Sequence, residues 1–345
     1  MFYVNGQYVK EEEAKISILD LAILRGFGVF DYLRTYGGRP FHLWDHLLRL
    51  KYSAEHVGLT LPHSLAEIQE IVHTVQNLNH LSYRAQEGLV NFGLCETKSN
   101  RSEAFRMRSP SLNGKGDEEN RFGEVAASPN SPNLTERGIE ASIKLLVTGG
   151  VSVDQFTPHP QSNLIVFAYP LSSYPDPFFT EGIKVITTRL NRSLPTSKTT
   201  QYTPAIVAMQ RGKKQNAQEA LYINAQNEIL EATTSNFFAF KNGTLYTCCS
   251  DEVLIGITRE VVLKLSLPHF PIEKHPLRYE EIGELEEAFI TASNKEVMPV
   301  VQIDDLKIGN GKVGPKTQQI MNLFRAYTQN PHWLPLDIPR YAMST

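Results

Sequence analysis

Residues 182–241 read GIKVITTRLNRSLPTSKTTQYTPAIVAMQRGKKQNAQEALYINAQNEILEATTSNFFAFK, and strand and helix patterns alternate along them. EGIKVITTRL (181–190) is β-branched and apolar, which predicts a strand. An irregular Pro/Ser/Thr segment, RSLPTSKTTQY (192–202), follows it. Thr203 and Pro204 carry N-cap and first-turn chemistry and open a helix through PAIVAMQRGKKQNA. EALYIN and SNFFAF are again strands, and Asn242-Gly243 turns the second into TLYTCC. Further on, the pattern predicts a helix from Gly256 to Ser266, a strand at EAFITAS and a late helix at KTQQIMNLFRAYTQ. Strands alternating with helices place the chain in the α/β class, with α+β character.

Upstream lies LSSYPDPFF (171–179), whose prolines and serines suit an interdomain linker. Before it, Phe2-Tyr3-Val4 precede Asn5-Gly6, a strong hairpin dipeptide. VFDYLRTY (29–36) reads as a strand that Gly37-Gly38 turns into RPFHL. Asp45 looks like the N-cap of a helix, HLLRLKYSAEHVGL, with Leu47, Leu50, Ala54 and Val57 on one buried stripe and Arg49 off it. A second helix spans about residues 64–77. From about Arg84 to Ile139 the chain turns to Ser, Asn, Gly, Glu and Arg without a period, and reads as a disordered insertion. Its basic residues are interleaved with Glu and Asp, so it makes a poor RNA arm. ASIKLLVTGG and LIVFAYPL then resume as strands. The expected domains are 1–170, small and interrupted once, and 180–345, joined by 171–179.

The whole chain has 345 residues, enough for about two domains at on the order of 150 residues each. Apolar residues make up 41%, charged residues 21%, and the formal net charge is -3. That balance argues against a nucleic-acid surface covering the protein. No run approaches the roughly 20 apolar residues of a membrane span, and the N-terminus lacks the pattern of a signal peptide. Three cysteines, two of them adjacent, fit a reducing cytoplasm better than a disulfide scaffold. No metal-ligand spacing stands out.

Four clusters could carry chemistry. Lys198 follows a strand in the RSLPTSKTTQY segment, although a lone lysine is most often a surface charge. Glu231 heads a hydroxyl-rich run, EATTSN. Gly256-Ile257-Thr258 opens a helix, where free amides and the helix dipole favour an anion. Ser293 and Asn294 follow a strand in TASNKEVMPV, and Arg49 could add a cation. None decides a function alone.

Their order does. LP-x-x-KTT-x-Y, E-x-x-x-SN-x-F, GITR and T-x-S-x-KEV-x-PV, together with LRGFGVFDYLRTYGGRPFHLWDHLLRL (24–50), resemble the fold-type IV pyridoxal-phosphate (PLP) enzymes, the class IV aminotransferases. The resemblance implies a two-domain fold, with a small N-terminal α/β domain and a larger domain built on a barrel-like mixed sheet. It implies PLP as cofactor, with Lys198 as the catalytic Schiff-base lysine and Glu231 on the pyridine nitrogen. Tyr202 would face the phenolic oxygen. Arg49, Ile257, Thr258, Ser293 and Asn294 would form the phosphate cup. Phe30 matches a pocket aromatic. The branched-chain members' Tyr-x-Arg corresponds to Ser142 and Lys144, and the D-amino-acid members' Arg-x-His to Asp154 and Phe156, so both carboxylate traps are altered. Lys144, or Arg34, would take over, with an ion pair the plainer reading of Arg34. The resemblance thus implies a ping-pong transaminase acting on branched-chain-like L-amino acids and 2-oxo acids, and a homodimer. The alternatives are a D-amino-acid transaminase, an aminodeoxychorismate lyase or, remotely, a non-catalytic relic.

Overall fold

The computed structural model describes residues 1–81, 139–248 and 251–341. The expected insertion at 84–139 lies, Ile139 apart, outside them.

The N-terminal hairpin pairs β1 (Phe2–Val4) with β2 (Gln7–Val9) across Asn5 and Gly6, whose φ values of 46° and 92° suit an Asn-Gly turn. β3 (Gly28–Tyr36) turns at Gly37-Gly38 into the short β4 (Arg39–Pro40). With β5 (Ala141–Thr148) and β6 (Asn163–Pro170) these form one antiparallel sheet in the order β2-β1-β6-β5-β3-β4. Helices α1 (Leu21–Arg25), α2 (Leu43–His56) and α3 (Leu65–Leu78) belong to the same half. Burial alternates along β3: Val29, Asp31, Leu33 and Thr35 are fully buried, while Phe30, Tyr32 and Arg34 face the other side. The buried face meets Leu47 and Leu50 of α2 and Ile68, Val72 and Val75 of α3 in one core.

Asp45 is not the N-cap of α2. His42 holds that position in a left-handed conformation, and Asp45 sits in the first turn. There it accepts from His42 Nδ1 at 2.7 Å and from the backbone N–H of Leu336 at 3.1 Å, so it ties the helix to the C-terminal segment. α3 begins as expected, at Ser64, with a reciprocal Ser64–Glu67 capping box.

The second half starts after an extended stretch at 171–176, with the one-turn α4 (Pro177–Thr180) inside the expected linker. It continues with β7 (Ile183–Arg189), α5 (Thr203–Lys213), β8 (Glu219–Ile223), β9 (Ile229–Ala232), β10 (Asn236–Lys241), β11 (Thr244–Thr247), α6 (Ile257–Ser266), β12 (Ile272–Glu273), β13 (Glu287–Ala292), β14 (Glu296–Ile303), β15 (Leu306–Lys307) and α7 (Pro315–Thr328). Strands β9-β10-β13-β14-β7-β8 close on themselves, because β8 pairs with β9 and Asn236 of β10 pairs with Glu231 of β9. This barrel is mixed: β7 runs parallel to both β8 and β14, and the other pairings are antiparallel. Val185, Leu221, Phe237, Ile290 and Met298 fill its interior. Helices α6 and α7 cover its outside over Phe238, Phe240 and Phe289, joined by Phe41 from the first half.

Two local readings change. Tyr202, not Thr203, occupies the N-cap of α5, and Thr203 and Pro204 are its first two residues. A proline in the first turn loses no hydrogen bond, which is why the pattern located the helix but missed its boundary by one. The residues after β13 form a tight turn into β14, with Glu296 at φ 56°, where the sequence suggested only small polar residues.

Candidate active site

The polar clusters of the sequence converge on one cavity of about 340 Å³ between the first sheet and the barrel. Phe30, Arg49, Lys144, Lys198, Tyr202, Glu231, Ile257, Thr258, Ser293 and Asn294 all line it. Arg34 does not: it pairs with Glu296 at 2.8 Å and stacks on Tyr36. Asp154 and Phe156 also lie elsewhere. Asp154 accepts from the N–H groups of Phe156 and Thr157 within its own turn.

At one end, hydrogen-bond donors gather in a cup whose chemistry suits an anion. Gly256 caps α6, so the N–H groups of Ile257 and Thr258 start the helix free of internal partners. A Cβ on Gly256 would come within 2.2 Å of Asn236 Oδ1, so only glycine fits this close approach. Arg49 reaches the cup from α2. Asp31 aims its guanidinium through two hydrogen bonds, at 2.9 Å from Nε and 2.8 Å from Nη2, while Nη1 donates to Ile255 O at 3.3 Å. Asp31 also accepts from His46 Nδ1 at 2.7 Å. Burial alone would raise the Asp31 carboxyl, but Arg49 and His46 hold it well below the usual carboxylate range. His46 is fully buried, and burial drives its ring below the ordinary histidine value despite Asp31.

Lys198 extends from a loop held against the first sheet. The Phe30 N–H donates to Lys198 O at 2.9 Å, the Thr200 N–H to Gly28 O at 2.9 Å, and the Lys198 N–H to Ser53 Oγ at 3.1 Å. Its ammonium lies 4.6 Å from the Phe30 ring centroid, and Lys144 Nζ lies 4.9 Å from the same ring. Burial and the charge of Lys198 both push the Lys144 pKa down. Among the described residues no carboxylate pairs with Lys144. Tyr202 meets Phe30 edge to face at 5.4 Å.

Glu231 is buried in β9 rather than in a loop. It accepts from Arg192 Nη1 at 2.9 Å, from the Leu254 N–H at 3.1 Å and from Asn236 Nδ2 at 3.3 Å. Burial raises its pKa, opposed chiefly by Arg192.

Several residues escaped the sequence reading. Asp31 and His46 stand behind Arg49, and Arg192 stands behind Glu231. Glu219, fully buried in β8, accepts from the hydroxyls of Thr233, Thr234 and Ser235 and pairs with Lys295 Nζ at 2.9 Å. One signal was available: a glutamate and a lysine in otherwise apolar strand-like runs, EALYI and KEVMPV, need buried partners.

A phosphorylated pyridine fits this donor set. The cup offers a guanidinium, helix-start amides and hydroxyls, and Thr291 Oγ1 is buried on the lining with no partner of its own among the described residues. An amine stands at Lys198, and a carboxylate lies across the cavity at Glu231.

A barrel closed in this way, with an anion cup, a lysine and a buried glutamate on one cavity, defines a cofactor-dependent enzyme of the fold-type IV class. The profile of the family described as amino-transferase class IV matches residues 124–303, just over half of the chain. The chain belongs to that family, and it is a PLP-dependent transaminase. A putative branched-chain-amino-acid aminotransferase of Methanocaldococcus jannaschii is 26% identical over 330 residues, covering 94% of each chain. A D-alanine aminotransferase of Staphylococcus epidermidis is 26% identical over 333 residues, covering 95% of this chain and 98% of its own. The branched-chain amino acid aminotransferase of Escherichia coli superimposes with a TM-score of 0.75 at 21% identity over 96% of both chains. The branched-chain amino acid aminotransferase of T.th., solved with pyridoxamine 5′-phosphate, gives 0.74 at 21% identity, over 96% of this chain and 95% of that one. Among the described residues, no helix is long and apolar enough to cross a membrane.

Proposed function

We propose that this cavity takes an amino acid with an apolar side chain, of the branched-chain L type, and exchanges its amino group with a 2-oxo acid. One observation carries the reading: beside Lys198, Phe30, Tyr32 and Tyr174 form an aromatic wall with Lys144, a cation that no carboxylate pairs among the described residues. An aromatic wall suits an apolar side chain, and a half-buried ammonium with no carboxylate partner among the described residues suits a substrate carboxylate. The relatives named above include both branched-chain and D-alanine aminotransferases. Asp154 and Phe156 lie away from the cavity and supply no second cation to it, which favours the first type over the second.

PLP, when bound, supplies an aldehyde for the amino group and a ring that takes up the electrons released at Cα. Arg49, Thr258 and the first amides of α6, with Ser293 and Asn294 beside them, would hold its phosphate. Glu231 would keep a proton on the ring nitrogen, and Tyr202 would donate to the phenolic oxygen. Lys198 Nζ would anchor the cofactor and carry the proton from the substrate's Cα. Lys144 would bind the carboxylate, and the aromatic wall would exclude water.

Ile18, Ile23, Val153 and Phe156 are 77%, 60%, 104% and 75% exposed, on segments joined by the Asp20–Val151 bridge. We read this apolar face as the contact of a homodimer. We place residues 1–170 in a small domain and 180–345 in the cofactor domain, and the enzyme in the cytoplasm on its cysteine usage.

The test is a substrate panel. Purified protein with PLP should give the 2-oxo acid from L-leucine, but not from D-alanine, and should release no product from aminodeoxychorismate. Borohydride reduction and peptide mapping should mark Lys198. Turnover of D-alanine alone would overturn the substrate reading, and a mark elsewhere would overturn the lysine assignment.

A further inference from the structure

We infer that the C-terminal segment after α7 is a positioning element of the anion cup, acting through the hydroxyl of Tyr341. The inference rests on the reading of that cup as the phosphate site.

The loop that enters α6 is held at successive peptides. The Leu254 N–H donates to Glu231, and Asn236 Nδ2 donates to Leu254 O at 2.7 Å. The next carbonyl, Ile255 O, receives two donors: Arg49 Nη1 at 3.3 Å and Tyr341 Oη at 3.0 Å. Gly256 follows directly as the helix cap. One peptide oxygen therefore joins the cation of the cup, the start of its helix and the C-terminal segment.

Packing makes the same connection. Ile338 and Tyr341 are buried against Ile257, the first residue of α6, with Leu48 and Tyr52 of α2 beside them. The Tyr341 ring lies 5.4 Å from that of Tyr52. The segment's other end is anchored as well. Trp333 stacks near His42, and the Leu336 N–H donates to Asp45. The segment thus bridges α2, which carries Arg49, and the α6 N-terminus, which carries Thr258. Burial pushes the Tyr341 hydroxyl well above its ordinary pKa, so it remains a donor at any working pH.

Losing the hydroxyl leaves Ile255 O to Arg49 alone, which draws the guanidinium toward the carbonyl and away from an incoming phosphate. A purely structural role would weaken every ligand of the cavity alike. Phosphate positioning weakens only phosphorylated ones.

The experiment titrates the apoenzyme of the wild type and of Tyr341→Phe with PLP and with pyridoxal, which lacks the phosphate, and measures protection of the cup by inorganic phosphate. The hydroxyl's hydrogen bond corresponds to roughly a three- to tenfold loss of PLP affinity. Pyridoxal affinity should hold within twofold, and phosphate should compete less well. Equal losses for PLP and pyridoxal, or no loss for either, would overturn the inference while wild-type PLP binding still upheld the cofactor reading. A wild type that bound PLP no better than pyridoxal would overturn both.

Discussion

Arg192 and Glu231 form an ion pair on the inner wall of the cavity, 2.9 Å from Nη1 to Oε1. Arg192 also donates to Pro195 O at 3.1 Å and to Ser197 O at 2.6 Å. One guanidinium therefore holds both the carboxylate proposed for the ring nitrogen and the loop that ends in Lys198.

Arg192→Met should disturb both. Burial already raises the Glu231 pKa, and without Arg192 it rises further. A carboxyl with a raised folded pKa binds its proton more tightly when folded, so its contribution to stability falls as pH rises through the carboxylate range. The variant should lose roughly 2–4 kcal/mol at neutral pH, because a buried charge loses its partner. Urea unfolding at pH 5 and pH 8 measures this, with the larger loss expected at pH 8. The turnover number should also fall, with its pH profile displaced upward.

Lys144 should govern substrate affinity without touching the cofactor. Lys144→Met is expected to raise KM for amino acid and 2-oxo acid by about tenfold or more, since a charge-assisted contact is lost. The visible spectrum with PLP should be unchanged. Because burial and Lys198 lower the Lys144 pKa, wild-type KM should climb on the alkaline side before the ordinary lysine range is reached. A flat KM up to that range would count against Lys144 as the carboxylate ligand.

Acid should loosen the Arg49 anchor. The folded pKa of Asp31 is depressed, so its stabilisation is present above the ordinary carboxylate pKa and is lost as pH falls below it. The depressed His46 pKa acts in the same direction, with stability complete above about pH 6.5 and falling below. Thermal melts from pH 8 down to about pH 2.5 should show a declining Tm, the histidine part below about pH 6.5 and the carboxylate part below about pH 4. In Asp31→Asn the carboxylate part of this slope should vanish, at a cost of about 3–5 kcal/mol at neutral pH.

Glu219 and Lys295 should be coupled. Glu219→Gln leaves the Lys295 ammonium buried without its partner and releases the three hydroxyls of residues 233–235. Stability should fall by roughly 3 kcal/mol, and KM should rise as that wall of the cavity relaxes. Adding Lys295→Met should recover part of the stability, which a double-mutant cycle reads directly. Strict additivity would show that the pair is not acting as a unit.

Much of this was visible in the linear chain because it rests on local chemistry. Periodicity located β7, α5, β10 and α7. Gly256 announced its helix through the one residue type that a close approach to Asn236 permits. Burial alternation along β3 follows from strand geometry, so Phe30 and Tyr32 could not share a face with Asp31. Local chemistry misplaced two caps, that of α5 by one residue and that of α2 by three. Asp45 has N-cap chemistry, but its carboxylate is drawn to His42 and to the Leu336 backbone, almost three hundred positions away in sequence.

By itself, then, the sequence determined the strand and helix order, the family's motifs and the polar clusters that share one cavity, because each of these depends on side-chain type and short-range spacing. The tertiary structure decided what stands behind them. Only the folded barrel brings Arg192 to Glu231, and only packing of α2 on β3 brings Asp31 to Arg49. Only the contact between the two halves of the molecule turns Lys144 toward the cavity with no carboxylate partner among the described residues, while Arg34 pairs with Glu296. Buried charges must find partners in space, and no spacing along the chain says which partner that will be.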